Sequence, residues 1–297
     1  MFDQIFGNYL VASGYLTEEQ FKEALQAEAE VRVKLGLIAV TEKMMTKEQA
    51  DEVNHLQAIK DKRFGDIAVE KGYLTEDQVG RLLKKQGNIY MVFVQALIDK
   101  GFMTLDEIDG MLQRYQGMEK LSSGEMDDLV SGDVDRVIGL FLPNNDEISK
   151  KLCGIAVRTI LRLIDSGAYV SKAYLVDEIR ADNFAMQVLE GDRRIYAGFA
   201  GLENGLLSIA EPFGQEEFGQ VDMDALDAVG EFINCINGLF ASEQSTLGLD
   251  VDMLPPQYFD QPVSISGNRF VVFPLHIGEQ AINYVIATDT QLKVESI

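Results

Sequence analysis

The first 117 residues repeat one pattern of apolar and polar positions four times, with a period of 29 residues. In each repeat a short apolar run ends at a turn residue, and a Leu or Met followed directly by Thr comes two residues later. The aligned register positions are Gly7, Gly36, Gly65 and Val94, and the aligned threonines are Thr17, Thr46, Thr75 and Thr104. Several positions that recur at one constant spacing indicate stacked structural repeats.

The aligned threonines predict where the second helix of each repeat begins. Each is followed three residues later by Gln or Glu, which is the spacing of a capping box. The turn residue before each threonine is glycine in three of the four repeats, and it suits the left-handed residue that ends a helix. Each repeat is therefore predicted to be a helix, a turn and a second helix. Short amphipathic helices need neighbours to bury their apolar stripes, so we expect an all-α helical-repeat domain over residues 1–117.

After the repeats the pattern changes, and the rest of the chain is predicted to hold a different kind of domain. Residues 118–146 mix Gly, Ser and acidic residues around one short apolar helix and are predicted to form a linker. An amphipathic helix then begins, and several strand-like segments come after it, among them a hairpin predicted around Asn204-Gly205. Helices combined with hairpin-linked strands predict an α/β domain with a largely antiparallel sheet over residues 147–297. The fold class predicted for the whole chain is α+β.

The segment DAVGEFINCING, residues 227–238, is predicted to be a helix with two different faces. At 100° per residue, an arc of about 80° collects the apolar residues of a core face. These are Leu226, Val229, Ile233, Ile236 and Phe240. The opposite face carries Asp227, Glu231 and Asn234 in one line, with Gly230 and Gly238 beside them. Each glycine costs a helix about 1 kcal/mol relative to alanine, which suggests that something approaches this face closely. An ordinary solvated helix face is the alternative.

Composition and charge narrow the class of protein. The chain has 297 residues and is 46% hydrophobic, which is ordinary for a globular protein. Its formal net charge is −22, of which −17 lies in residues 121–297, and this argues against binding nucleic acid or an anionic membrane. Cys153 and Cys235 form no CxxC pattern and are expected to be buried thiols in a reducing compartment. No basic and apolar leader opens the chain and no apolar run is long enough to span a membrane, so a cytoplasmic protein is expected.

The line Asp227, Glu231 and Asn234 resembles the active-site helix of the CheC, CheX and FliY family of chemotaxis phosphatases. The family motif is Asp or Ser, three residues, Glu, two residues and Asn, followed by a proline near the end of the next strand. Pro255-Pro256 stands within a residue or two of that place. The AVGEF lead-in and the LDVDMLPP return are most similar to CheX, and the likeness runs from residue 147 to near the C-terminus.

The resemblance implies an enzyme that hydrolyses the phosphoryl-aspartate of a phosphorylated CheY-like receiver, in chemotaxis or two-component signalling. In that chemistry Asn234 places the attacking water and Glu231 pairs with the receiver's active-site lysine. Asp227 and Gly238 support docking. The protein needs no cofactor of its own, because the acyl phosphate and its Mg²⁺ belong to the receiver. The resemblance also leaves a homodimer open, although the segment after Pro212 is too short for the full helix that CheX has there.

The repeats resemble the N-terminal domain of type II secretion and pilus-assembly ATPases, which in one form binds cyclic di-GMP. That form uses two 24-residue motifs that open Arg-Leu-Gly and end in Gln, five residues apart. The same spacing is present here, but the motifs open Lys34-Leu35-Gly36 and Arg63-Phe64-Gly65. Lys lacks the planar fork with which Arg holds guanine and phosphate. Lys34, Gly36, Arg63 and Gly65 are therefore a candidate nucleotide site, and a structural or protein-docking repeat is the alternative.

Two functions from different classes stay open. The first is a CheX-like aspartyl-phosphate phosphatase. The second is a non-enzymatic signalling adaptor, whose repeats bind cyclic di-GMP or a protein while the second domain only docks a receiver. The amide of Asn234 favours the enzyme, because docking alone would not require it. Other enzyme classes find little support, since the sequence has no Walker loop, GxGxxG or HExxH pattern.

Overall fold

A computed structural model describes residues 1–60, 62–143 and 146–297 and divides the chain into two compact units. Phe2–Gly132 is a helical unit, and Asp133–Ile297 forms the body of a mixed unit of helices and strands. The predicted α+β class, with an all-α first part and a sheet-containing second part, is confirmed.

The first eight helices form four consecutive pairs. The pairs are α1 (Phe2–Ala12) with α2 (Glu18–Ala27), α3 (Leu35–Thr41) with α4 (Lys47–Lys60), α5 (Phe64–Glu70) with α6 (Glu76–Leu83), and α7 (Ile89–Asp99) with α8 (Leu105–Glu119). Each pair occupies one 29-residue repeat, so the predicted helix–turn–helix units are present.

The aligned threonines begin the second helix of each pair, as predicted. Thr17, Thr75 and Thr104 each form a complete capping box with the Gln or Glu three residues on. Thr46 makes the same two bonds with Gln49, at 2.9 and 3.2 Å. The turn residues that precede these threonines all have positive φ, namely Gly14, Lys43, Gly72 and Gly101. The first helix of each pair therefore ends at a residue in the left-handed conformation, even in the second repeat, where lysine replaces glycine.

The register glycines mark places where the helices of a repeat pack closely. A Cβ on Gly7 would lie 2.0 Å from the Phe21 ring, and a Cβ on Gly65 would lie 2.8 Å from Val79 Cγ1. In both repeats the contacting residue stands 14 positions later, on the second helix of the same pair. A side chain at the register position would push the two helices apart, which explains why the repeat favours glycine there.

The structure divides the chain inside the segment predicted as a linker. α9 (Ser123–Ser131) belongs to the helical unit and α10 (Val134–Phe141) to the mixed unit. The left-handed residue Gly132 ends α9 between them. The predicted linker is thus shared between the two units, with its residues 118–132 in the helical unit and its residues 133–143 in the mixed unit. Residues 144–145 of the predicted linker lie outside the described residues.

The mixed unit continues with three more helices and contains nine strands within its described residues. The helices are α11 (Glu147–Leu163), α12 (Leu207–Gly214) and α13 (Met223–Thr246). The strands are β1 (Tyr169–Val170), β2 (Tyr174–Ala181), β3 (Asn183–Gly191), β4 (Ile195–Gly201), β5 (Val251–Met253), β6 (Gln257–Phe259), β7 (Val263–Ile277), β8 (Gln280–Thr288) and β9 (Lys293–Ser296).

The strands form one sheet, in which every described pair is antiparallel. The main order is β1-β7-β8-β4-β3-β5, while β2 and β9 also pair with β7, and β6 pairs with β3. The outer edge of β3 thus carries β5 and β6, one after the other along its length. This arrangement places the short segment between β5 and β6 next to the middle of β3.

The sheet buries both of its faces. On one face α13 packs against β4, with the rings of Phe232 and Phe199 5.9 Å apart. On the other face a buried cluster gathers side chains from β2, β3, β4, β7 and β8, including Phe184, Val188 and Phe270. Because one cluster collects residues from so many strands, the sheet curls around it.

The hairpin predicted around Asn204-Gly205 is wrong. β4 pairs with β3 and β8 instead, and the residues after the turn form α12. Leu206, Ile209 and Ala210 are buried at the i, i+3, i+4 spacing of a helix, and α12 packs against α13. The tight connection signalled by Asn-Gly therefore leads from a strand into a helix.

Candidate functional site

α13 carries the predicted motif and is firmly anchored in the mixed unit. Its first turn is capped by Asp222, whose carboxylate accepts from the backbone N–H groups of Asp224 and Ala225. The five residues predicted to form its core face are all fully buried, namely Leu226, Val229, Ile233, Ile236 and Phe240. The predicted core face is confirmed, and it fixes which side of the helix is left for chemistry.

The motif residues lie on the side of α13 that faces away from this core stripe. Asp227 and Glu231 are exposed, and Asn234 is half-buried. Glu231 forms no ion pair within the part of the chain that the structure describes. About one turn separates each motif residue from the next, so a carboxylate and an amide are presented together along one strip of surface.

Asn234 is held by a buried glutamine from the neighbouring strand. Gln187 of β3 donates from Nε2 to Asn234 Oδ1 at 3.0 Å and to the backbone carbonyl of Leu254 at 2.8 Å. Its Oε1 accepts from Nδ2 of Asn237 at 2.9 Å, and Asn237 lies about one turn after Asn234 on α13. Gln187 and Asn237 are almost completely buried. The amide at the centre of the motif is thus part of a core hydrogen-bond network.

Asp227 is held by a tyrosine from β6. The Tyr258 hydroxyl donates to Asp227 Oδ1 at 3.0 Å. Burial, this hydrogen bond and the negative charges of Asp227 and Glu231 raise the pKa of Tyr258 to about 12. The tyrosine is therefore a protonated donor at neutral pH, and it restrains the first carboxylate of the motif.

The close approach expected from the two helix glycines comes, at Gly230, from the protein itself. Gly230 is buried, because the Tyr258 side chain occupies the space beside it. Its predicted place on an open outer face is therefore wrong. Gly238 is half-buried, and the nearest side chain to a Cβ placed there is Met253, at 3.8 Å from Cε. Only the second glycine leaves room beside the motif.

Pro255-Pro256 lies in the connection between β5 and β6, two residues after the last residue of β5. Leu254 immediately precedes the prolines, and its backbone N–H donates to the carbonyl of Val188 at 2.9 Å. Its own carbonyl receives the bond from Gln187. The proline pair predicted from the sequence is thus joined to the motif helix through Leu254 and Gln187.

The two cysteines lie in different environments. Cys153 is buried, and burial raises the pKa of its thiol. Cys235 is exposed, so the expectation that both thiols are buried is wrong for this residue. It comes directly after Asn234, on the side of α13 away from the core stripe, a position that the apolar sequence around it did not reveal.

The candidate nucleotide residues of the helical unit lie in different surroundings. Gly36 and Gly65 are buried inside the repeat packing. Lys34 is exposed and forms an ion pair with Asp99, with Nζ 2.8 Å from Oδ1. Lys34 lines a cavity of about 580 Å³, but Arg63 is not among the described residues around it. The spacer of the predicted motifs includes residue 61, which lies outside the described residues.

Two further properties bear on the predicted partners. Across residues 1–60, 62–143 and 146–297, no group of three or more His, Cys, Asp or Glu side chains is arranged to hold a metal ion. No helix in the same residues is both long and apolar enough to cross a membrane.

Comparison with known proteins shows that part of the mixed unit is similar to a known sequence family. The family model described as "Chemotaxis phosphatase CheX" matches residues 184–275, which include most of β3, all of α13 and the proline pair. No curated protein matches the chain. The second part of the chain therefore contains a CheX-like domain, as predicted.

Several solved structures are similar to about half of the chain. CheX from Desulfovibrio desulfuricans is 15% identical, with a TM-score of 0.42, and the match covers 48% of this chain and 99% of that one. A CheC-like protein from Shewanella sp. PV-4 is 16% identical, with a TM-score of 0.43, over 49% and 99% of the two chains. A CheX–CheY–BeF3–Mg²⁺ complex from Borrelia burgdorferi is 15% identical, with a TM-score of 0.35, over 50% and 99%.

Three residues that surround the motif were not predicted, namely Gln187, Asn237 and Tyr258. The sequence contains a feature that could have identified Gln187, because it is the one polar residue in the apolar run FAMQVL of a buried strand. A polar side chain in such a place needs partners, which are here the amides of α13. No such feature points to Asn237 or Tyr258, since their roles depend on which strand lies beside the helix.

Proposed function

We propose that the mixed unit hydrolyses the phosphoryl-aspartate of a response-regulator receiver in chemotaxis or two-component signalling. The acting residues in this proposal are Glu231 and Asn234. The observation that carries it is the exposed strip of α13, where an exposed carboxylate stands one turn before an amide that the core holds in place. The match of residues 184–275 to the CheX family supports the same activity.

The reaction does not require this protein to form a covalent bond with the phosphoryl group. Water attacks the phosphorus of the acyl phosphate, and the receiver's aspartate leaves as a carboxylate. The main requirement is to hold that water in line with the leaving oxygen. A neutral amide such as Asn234 can bind water without repelling the phosphoryl oxygens, which a carboxylate in the same place would do. In this proposal Mg²⁺ arrives with the phosphorylated receiver.

Glu231 has the properties of a docking residue. Its carboxylate is exposed and available to the cationic lysine of a receiver's active site. A charge-assisted contact between them would align the helix and also balance the carboxylate's own repulsion of the phosphoryl group. Asp227 is restrained by Tyr258 and lies one turn further from Asn234. We assign Asp227, with Gly238, to the docking surface rather than to the reaction.

Phosphate release from a panel of phosphorylated receiver domains tests the proposal. Wild type should accelerate release from at least one receiver, Asn234→Ala should abolish the acceleration, and Glu231→Ala should weaken both release and binding. Binding is measured separately with the beryllofluoride form of the receiver, which Asn234→Ala should still bind. Ser245→Ala is a matched control, because this exposed residue lies on α13 about 16 Å from Asn234 along the helix axis.

Two results would count against the enzyme. Equal rates for wild type and Asn234→Ala would show that the assigned mechanism is wrong. Binding to a beryllofluoride receiver without any acceleration of phosphate release across the panel would indicate the signalling adaptor instead.

A further inference from the structure

Gln187 is a polar side chain in a place where the strand on either side is apolar. It is 1% exposed, between Met186 and Val188 on β3. Burying an amide is unfavourable unless its donors and acceptor are all engaged. Gln187 meets this requirement through hydrogen bonds to Leu254, Asn234 and Asn237. Two of these three bonds go to α13, so its bonding is directed at the motif helix.

One backbone atom fixes the orientation of the whole network. The carbonyl oxygen of Leu254 can only accept, so the Gln187 atom 2.8 Å from it must be the nitrogen. The second N–H of that nitrogen then points at Asn234, which must offer its oxygen to receive it. The remaining oxygen of Gln187 needs a donor, and Asn237 supplies one. With Gln187 held in this way, reversing Asn234 would place two donors against each other, and reversing Asn237 would place two acceptors against each other. Asn237 Oδ1 itself has no hydrogen-bond partner within the described residues.

The anchoring carbonyl is itself constrained. Leu254 stands before Pro255, and a residue before proline is restricted to extended conformations. Its N–H is bonded to Val188 at 2.9 Å, which ties it to the strand that carries Gln187. The proline pair therefore acts at a distance from the motif, because it holds the acceptor that orients Gln187.

We propose that Gln187 is a positioning residue that turns the NH₂ end of the Asn234 amide outward, towards the reacting groups. This inference rests on the proposed function and adds to it the polarity of the amide. Asn234 Oδ1 is engaged on the core side, so the two hydrogens of Nδ2 are the groups offered to the partner. Donors of this kind fit an acceptor, which is the oxygen of the attacking water or a phosphoryl oxygen.

The reversed amide would be a poor catalyst. With its oxygen outward, Asn234 would face the electron-rich phosphoryl oxygens with an acceptor, and it would lose its bond to Gln187. A side-chain amide without a fixed partner can adopt both orientations, since the torsion that exchanges its two ends is broad and roughly two-fold. A residue that removes this ambiguity before the receiver binds should raise kcat without contributing to binding itself.

A Gln187→Met variant of the full chain tests the positioning role, because Met is of similar length and forms no amide hydrogen bonds. We expect kcat for phosphate release to fall about tenfold to hundredfold, the size of effect seen when a reacting group is slightly misplaced. The KM for the phosphorylated receiver should stay unchanged, since Gln187 is buried and touches no partner. Val272→Ala is the control, because Val272 of β7 belongs to the buried cluster on the opposite face of the sheet. It should lower the unfolding temperature and leave kcat unaltered.

A second measurement on the wild-type protein does not depend on any variant folding. The side-chain amide protons of Asn234, identified by their loss in the spectrum of Asn234→Asp, should exchange rapidly with water in nuclear magnetic resonance experiments. Those of the buried Gln187 and Asn237 should be protected. Protection of the Asn234 protons would overturn the inference, because it would place the NH₂ end towards the core.

The outcomes separate the inference from the function on which it rests. If Asn234→Ala is inactive and a folded Gln187→Met keeps the wild-type kcat, the inference fails and the proposed function stands. If Asn234→Ala is as active as wild type, the proposed function and the positioning role both fail. Proton exchange then still determines how the Asn234 amide is turned.

Discussion

Tyr258 of β6 occupies the space that a side chain at Gly230 of α13 would need. A Cβ on Gly230 would lie 2.4 Å from both Cε1 and the hydroxyl oxygen of Tyr258. The same hydroxyl donates to Asp227 Oδ1 at 3.0 Å. The missing side chain of one residue is therefore what allows another to reach the first carboxylate of the motif. A glycine inside a long helix, unfavourable by itself, is explained by this contact.

Gly230→Ala should move Tyr258 and break its hydrogen bond to Asp227. The clash should destabilise the mixed unit by about 1–3 kcal/mol, partly offset by about 1 kcal/mol from the better helix propensity of alanine. Because Asp227 would lose its restraint, we also expect weaker binding of a beryllofluoride receiver. Urea denaturation and a binding titration measure the two effects.

Removing the tyrosine ring gives the matching control. In the double variant Gly230→Ala, Tyr258→Ala the clash no longer exists. Its loss in free energy of unfolding should therefore be smaller than the sum of the losses in the two single variants. Tyr258→Phe keeps the ring and removes only the hydroxyl, and it should cost about 0.5–1.5 kcal/mol. Additive single changes would show that the two residues do not compete for the same space.

The sequence predicted the line of motif residues but not the residues that surround them. Their spacing depends only on helix geometry, so Glu231 and Asn234 could be placed on one strip of α13 without knowing the fold. Gln187 lies 47 residues from Asn234 along the chain, and Tyr258 lies 31 from Asp227. Such contacts depend on strand order, which local patterns do not contain. The two glycines of the motif helix looked alike for the same reason, although Tyr258 fills the space beside Gly230 and Met253 is only in ordinary contact with Gly238.

The fold shows the same limit. The helical repeats could be predicted to within a few residues, because caps, turn residues and apolar stripes are all local and recur every 29 residues. The sequence predicts the turn at Asn204-Gly205 correctly but not the element that comes after it, since Asn-Gly favours a hairpin only when a strand comes next. Here a buried apolar stripe on α12 decides the outcome. Local chemistry sets where the chain turns, and tertiary packing sets whether a strand or a helix comes after the turn.

Two glycines of the helical unit should respond in opposite ways to alanine. Gly7→Ala would bring a Cβ to 2.0 Å from the buried Phe21 ring and should destabilise the unit by about 1–3 kcal/mol. Gly80 lies exposed in α6 with no neighbouring atom within 4 Å of a Cβ, so Gly80→Ala should stabilise the protein by about 0.5–1 kcal/mol. Thermal unfolding of the full chain measures both. Equal effects at the two positions would contradict the packing role of the register glycine.

Cyclic di-GMP should bind the wild-type repeats weakly or not at all. Lys34 is paired with Asp99, and Lys cannot hold phosphate with two parallel bonds as Arg does. Loss of one such contact costs roughly 1–3 kcal/mol, which is about a tenfold to hundredfold loss of affinity. Titration calorimetry on the full chain measures the binding directly.

A variant that restores the Arg-Leu-Gly sequence at the start of both motifs provides the comparison. Lys34→Arg with Phe64→Leu recreates both Arg-Leu-Gly openings, and it should gain affinity if the site is otherwise complete. Adding Arg63→Ala to this variant should remove the gain. Tight binding by wild type would mean that the present residues suffice for nucleotide binding. No binding by any variant would leave the repeats as a structural or protein-docking module.

Glu28 at the end of α2 should make the stability of the helical unit fall as pH rises. Burial and the negative charge of Asp3 raise the pKa of Glu28 from its ordinary 4.5 to about 7. Its Oε1 has no hydrogen-bond partner within the described residues. The unfolded chain releases the Glu28 proton near pH 4.5, whereas the folded chain keeps it until about pH 7. The free energy of unfolding therefore falls as the pH rises from about 4.5 to about 7, and the lost stability is not regained above pH 7.

Glu28→Gln should remove this penalty, because glutamine stays neutral at every pH. The full shift corresponds to at most about 3 kcal/mol, and since Glu28 is partly exposed we expect about 1 kcal/mol. The unfolding temperature of the variant should therefore exceed that of wild type at pH 8, and by less at pH 5. Glu30→Gln, which removes the charge of an exposed carboxylate two residues later, is the control for the loss of one negative charge. An equal gain from Glu28→Gln at pH 5 and pH 8 would mean that Glu28 is ionised in the folded protein throughout this range.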